Sequence, residues 1–399
     1  MPRHLATRSA AEPTEPARPT PPSSATAQAD SRADCGLYVH VPFCASKCPY
    51  CAFASEVRSD LMEAWAGAVL REAAAQAGRW GGFDTLYLGG GTPSLLPPRL
   101  LERLLSGLRR VFRFATDCET TLEANPGDVD RERIGAWRAS GINRLSLGIQ
   151  SFSDPELEFL GRRHDAQRAR RALDLAREAG FRNLGLDLVY GWRGQDEDTL
   201  CGTLAEVVRF GPEHVSCYQL TIEEGTPFFI RNKSRPLLAS EEEQANRFLL
   251  LSEVLGAGGF EHYEVSNFAR GAHFRSRHNQ KYWARVPTLG LGPAAHSFDG
   301  SRRAWNVRSL EGYLRSLGEG GTGREGEEAL DERQARTERI LLGLRTCDGV
   351  RLDVLSASAR EKALSKFVPQ LLLRVRAGRL CPTPRGMLLA DRLALELCE

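Results

Sequence analysis

From residue 36 onward, short runs of β-branched and apolar residues alternate with longer segments in which apolar positions recur every three or four residues. That alternation is the mark of repeated βα units around a parallel sheet. Six strands are predicted: LYVHV (37–41), TLYLG (85–89), ETTLEA (119–124), RLSLGI (144–149), LGLDLVY (184–190) and VSCYQL (215–220). Helices are predicted between them over 59–78, 98–110, 166–180 and 196–210, with Gly180 closing the third. The units show no clear internal repeat. After residue 270 the rhythm breaks, and GEGGTGREG (318–326), five glycines in nine residues, reads as a flexible connector. Beyond it, helical patterns at 331–345 and 359–376 precede GRLCPTPRGMLLADRLALEL, a hairpin followed by a helix, which suggests a winged-helix-like module.

Residues 1–34 hold six Pro, eight Ala, four Ser and four Thr without apolar periodicity, so a disordered tail is expected. A mitochondrial transit peptide fits less well, because four Arg there are matched by four acids. The expected organisation is a tail (1–34), a (β/α) barrel (35–270), a barrel extension (271–317), a Gly-rich linker (318–329) and a C-terminal α+β domain (330–399).

Composition narrows the partners. The 53 basic and 51 acidic side chains leave a net charge of +2, which supplies no field for drawing in a polyanion. The C-terminal module, at 13 basic to 9 acidic residues, is too mildly charged to argue for DNA over packing on the barrel. No nucleic-acid partner is expected. No apolar run approaches the roughly 18 residues that span a bilayer, so a soluble, cytoplasmic protein is expected. Seven of the ten cysteines are scattered singly, as reduced packing thiols are.

The other three are Cys44, Cys48 and Cys51, in CASKCPYC. Zinc would need a fourth ligand; His40 is near, but no second CxxC follows. A redox pair would leave one thiol unexplained. A 4Fe-4S cubane held by three thiolates keeps one iron open for a substrate or cofactor, and the CxxxCxxC spacing fits it. Further polar groups fall at or near the ends of predicted strands: the glycines of YLGGGTPS, Glu123 in LEANP, Gln150 in GIQSF and Asp187 in GLDLVYG. In a (β/α) barrel that face is where sites are built.

These motifs, with YVHVPFCASKCPYC, GINRLSLGIQSF and LGRRH, resemble those of radical S-adenosylmethionine (SAM) proteins. More narrowly the chain is similar to the HemW haem-chaperone group, itself similar to the oxygen-independent coproporphyrinogen III oxidases. The resemblance runs from about residue 36 to the C-terminus. It implies an α/β fold, a partial (β/α)6 radical SAM barrel with a winged-helix-like C-terminal domain. It also implies a 4Fe-4S cluster on Cys44, Cys48 and Cys51, with the open iron chelated by SAM. By motif position Tyr38, Gly90, Gly91, Thr92, Glu123, Gln150, Arg162 and Asp187 would contact SAM, with Arg162 meeting its carboxylate. The oxidases carry a further cysteine two positions after the third ligand. Here that position is Phe53, which favours the chaperone group over a decarboxylating enzyme that generates a 5'-deoxyadenosyl radical from SAM.

HFRSRHNQKYW (273–283) contains the HNxxYW motif typical of that group. His278 is the expected haem ligand, Tyr282 and Trp283 are expected to pack on the macrocycle, and Arg275, Arg277 and Lys281 to pair with propionates. The same stretch reads equally as a nucleic-acid patch or as a core-facing segment with snorkelling cations. His296 is a second candidate ligand. The implied partners are haem, a haem-acceptor protein and an electron donor, with peripheral membrane contact but no transmembrane segment. Three departures bear on the pocket: Trp192 and Arg193 make YGWRGQ where relatives read YGLPGQ, and Ala294 stands where glycine is usual.

Overall fold

A computed structural model describes residues 35–398. The tail expected over residues 1–34 lies outside the described residues. Six parallel strands, β1 (Cys35–Val41), β2 (Phe83–Gly90), β3 (Phe114–Ala124), β4 (Arg144–Gln150), β5 (Leu184–Tyr190) and β6 (His214–Gln219), stand side by side in sequence order. Helices Met62–Ala75, Pro98–Val111, Arg131–Ala139, Ala166–Glu178 and Glu197–Phe210 supply the crossovers. The sheet curves into a partial barrel and does not close. Beyond β6 it adds β7 (Glu261–Glu264) and β8 (Asn267–Ala269), with β8 antiparallel to β6. On the other side β9 (Thr288–Leu291) lies parallel to β1, followed by β10 (His296–Phe298), β11 (Arg302–Asn306) and β12 (Arg324–Ala329).

Each parallel strand has two unlike faces, as a period of two requires. Leu37, Val39 and Val41, then Leu86 and Leu88, Leu145 and Leu147, and Leu184, Leu186 and Leu188 turn outward under the helices and are almost wholly buried. The alternate positions are polar or small: Tyr38 and His40, Thr85 and Tyr87, Glu119, Thr121 and Glu123, Arg144 and Ser146, Asp187, then His214, Ser216 and Tyr218. Register sets them side by side, Tyr38 with Tyr87, Thr121 with Arg144, Glu123 with Ser146 and Asp187 with Ser216. The fold therefore wraps an apolar shell around a polar lumen.

Two expectations fail locally. The Gly-rich stretch 318–329 is no connector, because Gly318 ends the helix Leu310–Gly318 and Arg324–Ala329 pairs along β11. Its glycines serve geometry: Gly320 and Gly323 take left-handed φ of 82° and 73°, and a Cβ on Gly326 would lie 2.4 Å from the Trp305 ring. The helix expected over 359–376 stops at Phe367, and Leu373–Arg376 becomes β14 of a three-stranded sheet with β13 (Val350–Arg351) and β15 (Arg379–Pro382). Helix, strand, helix and hairpin in that order enclose a separate core of Ile340, Leu344, Leu355, Phe367, Leu380 and Leu393. Met387 nonetheless belongs to the barrel's core, and Cys347 N donates to Tyr263 O at 2.9 Å, so this module is packed on the barrel. Among the described residues no helix is long and apolar enough to cross a membrane.

Ala294 has a φ of 56°, in the left-handed region that favours glycine. Ala294→Gly is expected to stabilise the protein by about 0.5–1 kcal/mol, the relief of strain exceeding glycine's added chain entropy. A urea midpoint that falls instead would show that the methyl group's packing outweighs the strain.

Candidate functional site

The cysteine loop leaves the carboxyl end of β1, and backbone hydrogen bonds pin it there. Cys44 N donates to Glu56 O at 3.0 Å, and Gly91 N and Thr92 N donate to Val41 O and Phe43 O, both at 2.7 Å. A Cβ on Gly91 would lie 2.7 Å from the Phe43 oxygen and 2.8 Å from the Val41 oxygen, so only glycine allows this approach. Gly161 of LGRRH serves the loop from another side: its φ is 66° and a Cβ would lie 2.6 Å from Pro49 Cδ.

All three thiols are free and partly buried. Thr92 Oγ1 donates to Cys44 Sγ at 3.4 Å and Arg162 donates to Cys48 Sγ at 3.4 Å. Burial pushes the Cys51 thiol up. His40 does not complete a zinc site. Its Nε2 meets Ala54 O at 2.8 Å and its Nδ1 meets the Tyr38 hydroxyl at 3.2 Å, so both ring nitrogens are engaged. Among the described residues no three His, Cys, Asp or Glu side chains gather closely enough to hold a single metal ion. Three thiols with hydrogen-bond donors aimed at two of them suit a cluster, whose sulfur ligands are tuned in that way.

Below the loop lie the other expected residues. Gly90 N and the Tyr87 hydroxyl donate to the Glu123 carboxylate at 3.2 and 2.8 Å. Those bonds favour ionisation, but burial outweighs them and lifts Glu123 to about 7. Asp187 lies mid-strand and accepts from Ser146 Oγ at 3.1 Å; burial raises its pKa also. Arg162 donates to Gly148 O at 3.0 Å and keeps a buried Nε without a hydrogen-bond partner. Gln150 has a φ of 68°, backbone strain held at the end of β4. Thr121 Oγ1, Arg144 Nε and His214 Nδ1 are also buried without partners, so the lumen has spare polar capacity. Tyr218 and Tyr282 each expose 44% of their surface, yet protein crowds both phenols enough to suppress ionisation.

The HNxxYW side chains do not join the cysteines. Helix Arg277–Trp283 closes the opposite, amino-terminal end of the barrel, against β1 and β2. His278 is 1% exposed, stacks on Tyr87 at 5.1 Å, and engages Thr85 Oγ1 through Nδ1 (2.8 Å) and Tyr282 Oη through Nε2 (3.0 Å). Burial, then the charges of Lys281 and Arg144, drive it down to about 3. Both ring nitrogens are bonded and the ring has no open face, so haem ligation by His278 would require these contacts to break. The cations are engaged as well: Arg275 with Glu261 and Asp348, Arg277 with Asp84 and Asp117, Lys281 with Asp84 at 2.6 Å. Tyr282 faces the lumen instead, and Trp283 faces a cleft against the C-terminal module. His296 is exposed on the outer sheet, its ring 6.3 Å from Trp305. The sequence reading missed Tyr87, Arg144 and Ser146, for which the two-residue alternation in RLSLGI and its neighbours was the available signal, and Tyr50 of the cysteine motif, whose side chain is hydrogen-bonded to Arg162.

The chain matches the family model described as "Radical SAM superfamily" over residues 38–207 and "HemN C-terminal domain" over 330–389. It is 37% identical to "Heme chaperone HemW" of Mycobacterium tuberculosis, over 91% of this chain and 94% of the relative. It is 34% identical to the protein of the same name in Bacillus subtilis, over 78% of this chain and 84% of the relative. Among solved structures, coproporphyrinogen III oxidase (HemN) of Escherichia coli superposes with a TM-score of 0.79 at 24% identity, covering 92% of both chains, which shows a shared fold.

Proposed function

The chain belongs to the HemW family of radical SAM proteins, and we propose that it is a haem chaperone, binding haem and passing it to an acceptor protein in the cytoplasm. The observation that carries this reading is the identity, along almost the whole length of both chains, with relatives named as haem chaperones. Phe53 supports it. The residue is 67% exposed on the cysteine loop, an apolar side chain where the related oxidases place another thiol.

Cys44, Cys48 and Cys51 would hold the 4Fe-4S cluster, and Arg162, Glu123, Asp187, Tyr38, Gln150 and the Gly90–Thr92 loop would hold SAM. When bound, the cluster supplies an open iron for SAM and one-electron chemistry. The residues of the chain do the rest. Arg162 offers its free Nε to the SAM carboxylate, Glu123 accepts from ribose hydroxyls, and the His40 bridge to Ala54 O holds the loop against the lumen.

Anaerobic incubation with coproporphyrinogen III, SAM and a reductant is expected to yield no protoporphyrinogen IX, while haem is taken up and passed on. Catalytic turnover would overturn the chaperone reading. A second expectation concerns pH. Because Glu123 titrates at about 7 and the ionised carboxylate is the better acceptor, SAM affinity of the cluster-loaded protein should rise from about pH 6 to about pH 8. Glu123→Gln should bind more weakly and without that slope; a wild-type profile as flat as the variant's would remove Glu123 from the ribose. The same raised pKa means that the unbound fold holds this proton more tightly than the unfolded chain does. Stability from this group is therefore greatest in acid and is lost as pH rises through about 7.

A further inference from the structure

Outside the cysteine loop, a cleft of about 700 Å3 opens between the helix Asp154–Phe159, the turn that follows β5 and the chain at 235–237. Its wall is aromatic: Trp192, 4% exposed, lies against Phe159 with ring centroids 5.4 Å apart and planes 28° from parallel. Arg193, Arg231 and Arg235 line it, all exposed. Among the described residues, none of the three makes an ion pair or a side-chain hydrogen bond, although the Arg231 guanidinium lies 5.9 Å from the Phe159 centroid. The acids of the cleft are already occupied. Glu156 accepts from the Ser151 hydroxyl and from Gln195 Nε2 (3.3 Å), and Asp196 caps the next helix, accepting from Thr199 N and Oγ1 at 2.9 Å. Three guanidinia without an ion-paired carboxylate, beside a stacked aromatic wall, describe a receptor for a flat ligand that carries carboxylates on one edge.

We propose that this cleft binds the propionate edge of haem, a site that rests on the haem reading above and differs from the HNxxYW helix. Its position ties it to the cluster loop. Phe159 packs on Phe228 at 5.2 Å, Phe228 on Tyr50 at 6.2 Å, and Phe228 N donates to Pro49 O at 2.9 Å, so an aromatic series runs from the cleft into CASKCPYC. Trp192 and Arg193, the two departures in YGWRGQ, are both part of it.

The test uses the full chain with its cluster reconstituted, titrated anaerobically with haem and followed by Soret absorption. Arg193→Gln/Arg231→Gln/Arg235→Gln is expected to weaken haem binding by about 10- to 100-fold, as losing charge-assisted carboxylate pairs at a partly solvated site implies. Iron content and SAM binding should stay unchanged. Haem dimethyl ester, which has the same ring without free carboxylates, should bind wild type as weakly as the triple variant binds haem. A triple variant that binds haem like wild type, or an ester that binds as tightly as haem, would overturn this site and leave the chaperone reading standing. Wild type that takes up no haem would overturn both.

Discussion

Cys48→Ser, reconstituted anaerobically with iron and sulfide, is expected to stay colourless and to hold iron only at background level, the largest single effect foreseen for this chain. A serine hydroxyl does not ionise to a soft anionic ligand near neutral pH, and two thiolates would leave two irons of a cubane without protein ligands. The surroundings compound the loss. The Arg162 group 3.4 Å from Cys48 Sγ would keep its positive charge with no thiolate opposite it. The fold should survive, because the cysteine loop is pinned by backbone bonds at Cys44, Gly91 and Thr92 that the substitution leaves alone. Four irons per chain in the variant would show that Cys48 is not a ligand.

His278→Ala is expected to act on stability. Removing an imidazole from a site 1% exposed opens a cavity and strands the Thr85 hydroxyl and the Tyr282 hydroxyl. The combined cost is about 3–4 kcal/mol, read as a lowered urea midpoint. Haem titration of the variant that remains folded should move by less than about twofold, a factor worth under 0.5 kcal/mol. Acid provides an independent reading. His278 titrates at about 3 in the fold, against an ordinary 6.5 when unfolded. The unfolded chain thus binds the proton more readily, and the stability this residue contributes is lost progressively as pH falls below 6.5. The gap between wild type and His278→Ala should narrow accordingly. A large loss of haem affinity at unchanged stability would instead show that His278 is a haem ligand.

The parallel core and the upper site were legible because their signals are local. A strand shows its period within six residues, and a glycine that must approach backbone, such as Gly91, stands out beside the strand it follows. Arg162 was reachable only through the family's motifs, since an isolated cation reads as surface. The floor of the barrel was harder. HNQKYW has the composition of a ligand-binding patch, and only the fold reveals that Gly36, Thr85 and Tyr87, from two distant strands, enclose its histidine. Glycine density misled over 318–329 because a loop and a strand packed on Trp305 both call for residues without side chains. The polar lumen was written in the strands as alternation, but a half-buried amphipathic strand reads the same way when its polar face meets solvent.

The ends of the large sheet bear on how this protein behaves in a crowded solution. A sheet that does not close leaves two outer strands, whose unpaired amides and carbonyls invite strands from other molecules. Here β12 reads REGEEA, four charges in six residues, and β7 is four residues long with a bridge from Glu264 to Thr346 of the C-terminal module. A charged border and a short, partly covered one discourage edge-to-edge addition, so an open barrel resists stacking into fibrils without having to complete its ring.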